Sequence, residues 1–306
     1  MSSKFESEFL KKILPTLSTS ANLIVPIGDD CAAVTLENST KAMLFASDQL
    51  IGNVHYFQDS TPPEKAGAKL LKRNLSDIAA MGGKPLYALV NIANGGCDLD
   101  YLTQFMQGII DCAKEYNTLI IGGDTGHFIA GKTDKASALI GSLTIIGEVE
   151  SSLISCRNNA KDGDLIFITG ELGESLQNKH HLNFTPRLQE GQFLAEKSFT
   201  DCMMDISDGL LLDLQKMCEM SNISAKINLF DLPLRNKELC YKQITCGEDY
   251  ELLFAVAPEK LGLLMENWQA DFAKLTCIGK FVKNDKIEIY DENNNVLNIG
   301  NCGYEH

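Results

Sequence analysis

Two α/β domains joined near residue 150 are the fold this sequence predicts, and three observations predict it. The chain has 306 residues, about twice the ~150 that one domain ordinarily takes. Short apolar runs of strand character alternate with longer helical stretches in both halves. From Ser151 to Asp164 the chain turns polar and carries an Asp162-Gly163 turn before a fresh apolar run begins. Residues 1–150 and 151–306 are therefore expected to be separate units.

The elements follow in order. Leu23–Ile27 and Lys41–Ala46 are short apolar runs that end in turn or acidic residues, the pattern of strands. Pro62-Pro63 opens a helix that runs to Met81 and stops at Gly82-Gly83 and Pro85. Its small residues Ala66, Gly67, Ala68, Ala79 and Ala80 suit close packing against a sheet. Leu86–Ile92 reads as a strand, Leu99–Tyr116 as a helix, Thr118–Ile121 as a strand and Ala138–Val149 as a long strand. In the second half Leu165–Thr169 is a strand, a helix follows Ser207-Asp208-Gly209, and strands lie around Ala225–Leu229 and Tyr250–Val256.

Composition excludes several classes. With 44% apolar and 22% charged residues the chain can bury cores, which argues against disorder. Net charge is −14, from 41 acidic against 27 basic residues, and no basic run exceeds Lys72-Arg73. A nucleic-acid or anionic-membrane partner is disfavoured on that charge. No apolar run approaches the ~20 residues of a membrane span, and the first eight residues lack the apolar core of a signal peptide. The ten cysteines are scattered without a CxxC pair, which fits a reduced, cytoplasmic protein better than a disulfide framework or a zinc ribbon.

The aspartates carry the functional signal. Gly28-Asp29-Asp30, Ser47-Asp48, Gly122-Gly123-Asp124 and Met203-Met204-Asp205-Ile206-Ser207-Asp208 each set Asp just after an apolar run, where α/β sheets collect ligands. Asp77 adds a carboxylate to the apolar helix stretch Asn74-Leu75-Ser76-Asp77-Ile78-Ala79-Ala80-Met81. Any one of these Asp residues is ordinarily a cap or a turn residue. Their recurrence points instead to carboxylates converging on hard divalent cations such as Mg²⁺, which take oxygen ligands and share their shell with phosphate.

Gly126-His-Phe-Ile-Ala-Gly131-Lys132-Thr133 formally matches a phosphate-binding loop. That loop works only between a strand and a helix whose amides face the phosphates. The Gly, Thr and Ile content after Thr133 is that of a strand, so the match is read as fortuitous.

Six blocks in order carry a resemblance: Gly28-Asp29-Asp30-Cys31-Ala32; Ser47-Asp48 with His55; Asn74 to Gly82; Ile121-Gly122-Gly123-Asp124-Thr125; Asp205-Ile206-Ser207-Asp208-Gly209-Leu210; and Gly247-Glu248-Asp249-Tyr250-Glu251-Leu252. In this order, and with Gly303-Tyr304-Glu305-His306 at the end, the chain resembles the thiamine-monophosphate kinases. The resemblance implies the two-domain fold of the aminoimidazole ribonucleotide synthetases, in which the N-terminal domain pairs with its twin into a β-barrel across a homodimer. It implies residues 1–150 as the ATP- and Mg²⁺-binding, dimerising domain and 151–306 as a C-terminal α/β domain. It also implies transfer of the ATP γ-phosphoryl group directly to thiamine monophosphate, giving thiamine diphosphate. By matching motif, Asp30, Ser47, Asp48, Asp77, Asp124, Asp205 and Asp208 would hold several Mg²⁺ ions, with Asp48, Asp77, Asp124 and Asp208 central to catalysis. Gly123, Asp124, Arg157 and Ser207 would contact ATP, and His55, Glu248 and Tyr304 the thiamine side.

Each contact has a plainer reading: a packed histidine at 55, a linker charge at 157, a strand cap at 248, a tail residue at 304. Cys246 departs from the glycine expected before Gly247, Ala46-Ser47 is poorer in hydroxyls than the family pair, and the segment after Asp124 is longer, suggesting a lid or surface hairpin. Other readings stay open: a different ATP-dependent synthetase of the same superfamily, a non-catalytic Mg²⁺-nucleotide-binding protein on this fold, or a two-metal phosphatase. The last ordinarily adds histidine ligands, and His55, His127, His180, His181 and His306 do not form such a pattern.

Overall fold

Alternation builds the first sheet. In the computed structural model, which describes residues 5–129, 138–236, 243–284, 286–291 and 295–297, β1 (Leu23–Val25), β2 (Ala32–Thr35), β3 (Lys41–Ile51), β4 (Lys84–Asn94), β5 (Leu119–His127) and β6 (Leu139–Glu150) form one six-stranded sheet. Its order is β1-β2-β3-β6-β4-β5, antiparallel except for the β4–β5 pair. Every second residue of β6 is buried from Leu139 to Val149, so one face is core and the other is not. The register Lys41↔Glu150 to Ile51↔Ile140 carries that alternation into β3, where Ala42, Leu44, Ala46 and Leu50 point inward.

Helix α2 (Pro63–Ala80) lies on the inner face; a short helix, α1 (Phe5–Ile13), precedes the sheet. Leu70, Leu71, Leu75 and Ile78 of α2 are fully buried, each worth about 1.5–3 kcal/mol relative to exposure. The small residues of α2 were expected to serve the sheet. They serve neighbouring helices as well: a Cβ on Gly67 would lie 2.0 Å from Phe105 O of α3 (Leu99–Glu115), and one on Gly108 of α3 1.9 Å from Glu64 O. Ala79 O meets α5 (Leu188–Glu196) in the same way at Gly191, 2.2 Å from its virtual Cβ. Here α4 is the short helix His180–Asn183.

The second sheet has seven strands in the order β13-β12-β9-β11-β7-β10-β8. They are β7 (Leu165–Thr169), β8 (Met203–Asp205), β9 (Ser224–Asn228), β10 (Leu252–Val256), β11 (Leu275–Val282), β12 (Glu288–Tyr290) and β13 (Val296–Leu297). β10 is buried throughout because both its faces are covered. Leu252, Phe254 and Val256 join the core around α2, while Leu253 and Ala255 join a second core under α6 (Leu210–Ser221). A last helix, α7 (Leu261–Asn267), follows β10. The core around α2 therefore draws residues from both halves of the chain.

The expected strand Leu165–Thr169 and the α2 and α3 helices appear close to their expected bounds. Three strands differ. Leu23–Val25 stops before Pro26, which has no N–H to donate. The strand expected at Lys41–Ala46 continues to Ile51, and that expected at Thr118–Ile121 continues to His127. Asp48 and Asp124 are consequently inside strands rather than just beyond them. Elements β2, β11, β12, β13, α1, α4, α5 and α7 had no separate expectation.

Candidate active site

One polar cavity of about 260 Å³ lies where the two halves meet. The β1–β2 loop contributes Asp29 and Asp30, β3 contributes Ser47 and Asp48, and α2 contributes Arg73 and Asp77. The second half brings Arg157, Asp205, Ser207, Asp208, Lys216, Glu248 and Tyr250. Ligand atoms of Asp30, Asp77 and Asp205 all lie within 4.8 Å of one another.

Their surroundings explain why so many acids persist there. Burial pushes the Asp77 carboxyl well up, and the charges of Asp48, Asp205 and Asp30 push it further. Burial and Asp30 do the same to Asp205, against a 2.6 Å hydrogen bond that Ser76 Oγ donates to it. Asp29 is pushed up to about 6, by burial first and then by Asp30. Like charges this close, out of bulk water, are unfavourable alone. A set of hard oxygen ligands in mutual reach is the chemistry of a divalent cation site, so the residues fit one.

Protein cations neutralise part of the charge. Arg157 Nε donates to Asp30 Oδ2 at 3.1 Å and Nη2 to Asp30 Oδ1, while its backbone N–H meets Asp29 Oδ2 at 3.0 Å. Lys216 Nζ donates to Asp208 Oδ2 at 2.5 Å and Asp213 Oδ1 at 2.9 Å. Asp213 Oδ2 in turn accepts from the backbone N–H groups of Asp208 and Gly209, fixing the entry to α6. Gly209 has φ +109° and its missing Cβ would lie 2.9 Å from Cys246 O, so this turn admits only glycine. Cys246, the departure noted in the sequence, thus faces the turn with its carbonyl. The next loop is held to the first: Glu248 N donates to Ser207 O at 2.7 Å and Tyr250 N to Ile206 O at 2.8 Å. Glu248 and Tyr250 are non-glycine residues at φ +67° and +52°, a local strain that places the Glu248 carboxylate at the cavity. Tyr250 stacks on Phe184 with ring centroids 4.1 Å apart.

The structure thus gathers Asp30, Asp48, Asp77, Asp205, Asp208, Arg157, Ser207 and Glu248 at one cavity. Ser47 lines it too, but its hydroxyl turns to β6, to Leu143 O and Thr144 Oγ1. His55 lies deeper: its Nδ1 accepts from Ile51 N at 2.9 Å and its carbonyl accepts from Lys69 Nζ at 2.6 Å. Gly123 and Asp124 are elsewhere. They sit exposed on edge strand β5, three strands from β3, or roughly 14 Å away. Asp124 pairs through Asn91 and Ser142 with Gln49, and so shares the outer face of the sheet, opposite Asp48. Tyr304 and Lys132-Thr133 lie outside the described residues. Gly126 and His127 end β5, and the next described element is β6, so no helix follows the loop-like motif among the described residues.

Four site residues had no expectation: Lys69, Arg73, Lys216 and Tyr250. Lys69 is fully buried and donates to Glu248 Oε2 at 2.5 Å. A signal existed for two of them, because Lys69, Arg73 and Asp77 are spaced by four and share one helix face.

The fold and the cavity define a class. Residues 28–149 match the family described as AIR synthase related protein, N-terminal domain. The chain is 31% identical, over 93% of its length and 93% of the relative's, to thiamine-monophosphate kinase of Buchnera aphidicola subsp. Schizaphis graminum (strain Sg). It is 32% identical to the Haemophilus influenzae (strain ATCC 51907 / DSM 11121 / KW20 / Rd) enzyme of the same name, over 83% of this chain and 82% of that one. A solved structure of AaThiL complexed with AMPPCP and TMP superposes with a TM-score of 0.81 at 25% identity, covering 100% of this chain and 98% of that chain. The chain belongs to the thiamine-monophosphate kinase family and is an enzyme of that kind.

Proposed function

We propose that this enzyme transfers the γ-phosphoryl group of ATP in line to the phosphate of thiamine monophosphate, yielding thiamine diphosphate and ADP, in thiamine diphosphate biosynthesis. The observation that carries the reading is the convergence of Asp30, Asp77 and Asp205, from three elements and both halves of the chain, within 4.8 Å. The AaThiL complex with AMPPCP and TMP supports the two substrates.

The attacking oxygen belongs to a phosphate and is ionised at neutral pH, so no protein base is needed. Catalysis rests on positioning and on neutralising the charge that spreads over the transferring group. Asp30, Ser47, Asp48, Asp77, Asp205 and Asp208 would hold Mg²⁺. Mg²⁺ held there would supply the positive charge that shields donor and acceptor phosphates from one another and polarises the transferring group. Arg157 and Ser207 face the nucleotide. Glu248, steadied by Lys69, takes the thiamine side together with His55 and Tyr304.

Gly123 and Asp124 enter through a second copy. The outer face of the first sheet exposes Phe45, Tyr87 and Leu119 in one cross-strand row with the partly buried Ile146. An apolar row on an uncovered sheet face favours pairing, and we propose a homodimer that closes the two sheets into a barrel. In this assembly residues 1–150 form the ATP- and Mg²⁺-binding, dimerising domain and 151–306 the α/β domain that closes the cavity. The eight described cysteines are all free, which suits a reducing compartment; we place the reaction in the cytoplasm. Among the described residues no helix is long and apolar enough to cross a membrane.

The test is chromatographic: thiamine diphosphate formed from ATP and thiamine monophosphate with Mg²⁺ and with EDTA. Mg²⁺-dependent product is expected. ATP binding with no product from this acceptor would overturn the reading.

A further inference from the structure

The stripe Lys69–Arg73–Asp77 on α2 joins the two ends of the cavity. Four helical residues rise about 6 Å, so Arg73 stands midway between its neighbours. At one end Lys69 holds Glu248 and the His55 carbonyl. At the other, Asp77 meets Asp30 and Asp205.

Arg73 differs from the other cations lining the cavity. Arg157 is occupied by Asp29, Asp30 and Gly28 O, and Lys216 by Asp208 and Asp213. Arg73 makes one hydrogen bond, from Nη1 to Gln49 O at 2.8 Å. Its Nε sits 3.3 Å from Asp48 Oδ2 but is enclosed without a hydrogen-bond partner. Its Nη2 has none among the described residues. The side chain is only 11% exposed, so a guanidinium edge is held in the cavity with donors to offer. Buried donors of this kind are ordinarily satisfied, and an exception calls for a ligand. A guanidinium edge suits two oxygens of one phosphate.

We infer that Arg73 binds the phosphate of the acceptor, thiamine monophosphate, holding its non-attacking oxygens while a third oxygen faces the γ-phosphoryl group. This deepens the proposed function and rests on it, because the acceptor phosphate must bridge the Glu248 end and the carboxylate end, where Arg73 stands. In the step itself an oxygen lone pair of the acceptor forms the new P–O bond and the bond to the β-phosphate oxygen breaks, its electron pair leaving with ADP. Arg73 donates hydrogen bonds and transfers no proton.

The test compares wild type, Arg73→Met and Arg73→Lys with Mg²⁺ present. Calorimetry measures thiamine monophosphate and unphosphorylated thiamine separately, and steady-state kinetics measure KM for each substrate. Arg73→Met is expected to weaken thiamine monophosphate on the order of 10- to 100-fold, the range of a charge-assisted hydrogen bond. Thiamine affinity and KM for ATP stay within about threefold, since neither involves the acceptor phosphate. Arg73→Lys keeps the charge without the fork and should fall between; it also serves if the Met variant fails to fold. Loss confined to ATP or to Mn²⁺ binding, read by electron paramagnetic resonance, would reduce Arg73 to a partner of Asp48 and overturn the inference. Unchanged thiamine monophosphate affinity would overturn it as well. A wild type that binds no thiamine monophosphate overturns the proposed function first and this inference with it.

Discussion

The Lys69 ammonium lies 2.5 Å from Glu248 Oε2 and 2.6 Å from the His55 carbonyl oxygen, so one buried cation ties together two segments from opposite halves of the chain. Burial lowers the Lys69 pKa to about 8, against the pull of Glu248 in the other direction. The groups facing it are Glu248, Arg73 and His181, and burial keeps His181 below its ordinary range. The ion pair is therefore complete below about pH 8 and weakens as pH rises through that value. KM for thiamine monophosphate should rise above pH 8 in the wild type. Lys69→Met should show a KM raised on the order of tenfold at neutral pH and no such pH step. A wild-type step that survives in Lys69→Met would assign it to another group.

Asp77→Asn should separate function from stability. Removing one of three mutually repelling carboxylates relieves the cation-free protein, so its Tm in EDTA is expected to rise above that of the wild type. Turnover with Mg²⁺ should fall on the order of 10²- to 10³-fold, the scale of losing one group that stabilises transition-state charge. Mg²⁺ should raise the wild-type Tm more than that of the variant. Paired thermal scans, with and without EDTA, check the two Tm effects, and a steady-state assay with Mg²⁺ checks turnover; wild-type turnover in Asp77→Asn would refute the carboxylate assignment.

How much of this was legible in the sequence depends on what each residue faces. Leu165–Thr169 was readable because an apolar run between turn signals has few alternatives. The strand at Lys41 was cut short at Ala46 because Ser47-Asp48-Gln49 looks like a loop. It is polar because Asp48 takes an inward position at the cavity, Ser47 lines the cavity with its hydroxyl turned to β6, and Gln49 is exposed on the other face. The carboxylate set was legible from motif order, yet Asp124 was not separable from it, since nothing local in a sequence says which face of which strand an Asp occupies. Lys69 and Arg73 carried a readable i, i+4, i+8 spacing with Asp77. That spacing was masked by the apolar and small residues around it, which spoke for packing alone.

The loop-like motif Gly126 to Thr133 should prove dispensable for nucleotide binding. Gly126 and His127 belong to β5, and the next described element is a strand, so the amide cradle of a helix N-terminus is absent from the described residues flanking it. Deleting residues 128–134 should leave ATP affinity within about fivefold, the range of losing no more than one weak contact. Equilibrium dialysis with labelled ATP decides it, and complete loss would restore the phosphate-loop reading.

Asp124 offers a test of assembly that single variants cannot. Its strand, β5, is an open edge, and its side chain is on the sheet face away from Asp48 and Asp77 of the same chain. If the second copy supplies it, Asp124→Asn and Asp77→Asn should each be inactive alone but complement one another when mixed. In a mixed dimer one cavity keeps its own Asp77 and receives an intact Asp124, while the other cavity lacks both. Random reassortment makes half of the dimers mixed, each with one working cavity, so activity should recover to about a quarter of the wild-type value. The measurement is thiamine diphosphate formation after the two variants are co-expressed with different tags and the doubly tagged species is purified. In that species the expected activity is about half of wild type, one cavity in two. No recovery would mean that Asp124 acts within its own chain or not at all, and the dimer would then have to be justified by the apolar row Phe45–Ile146–Tyr87–Leu119 alone.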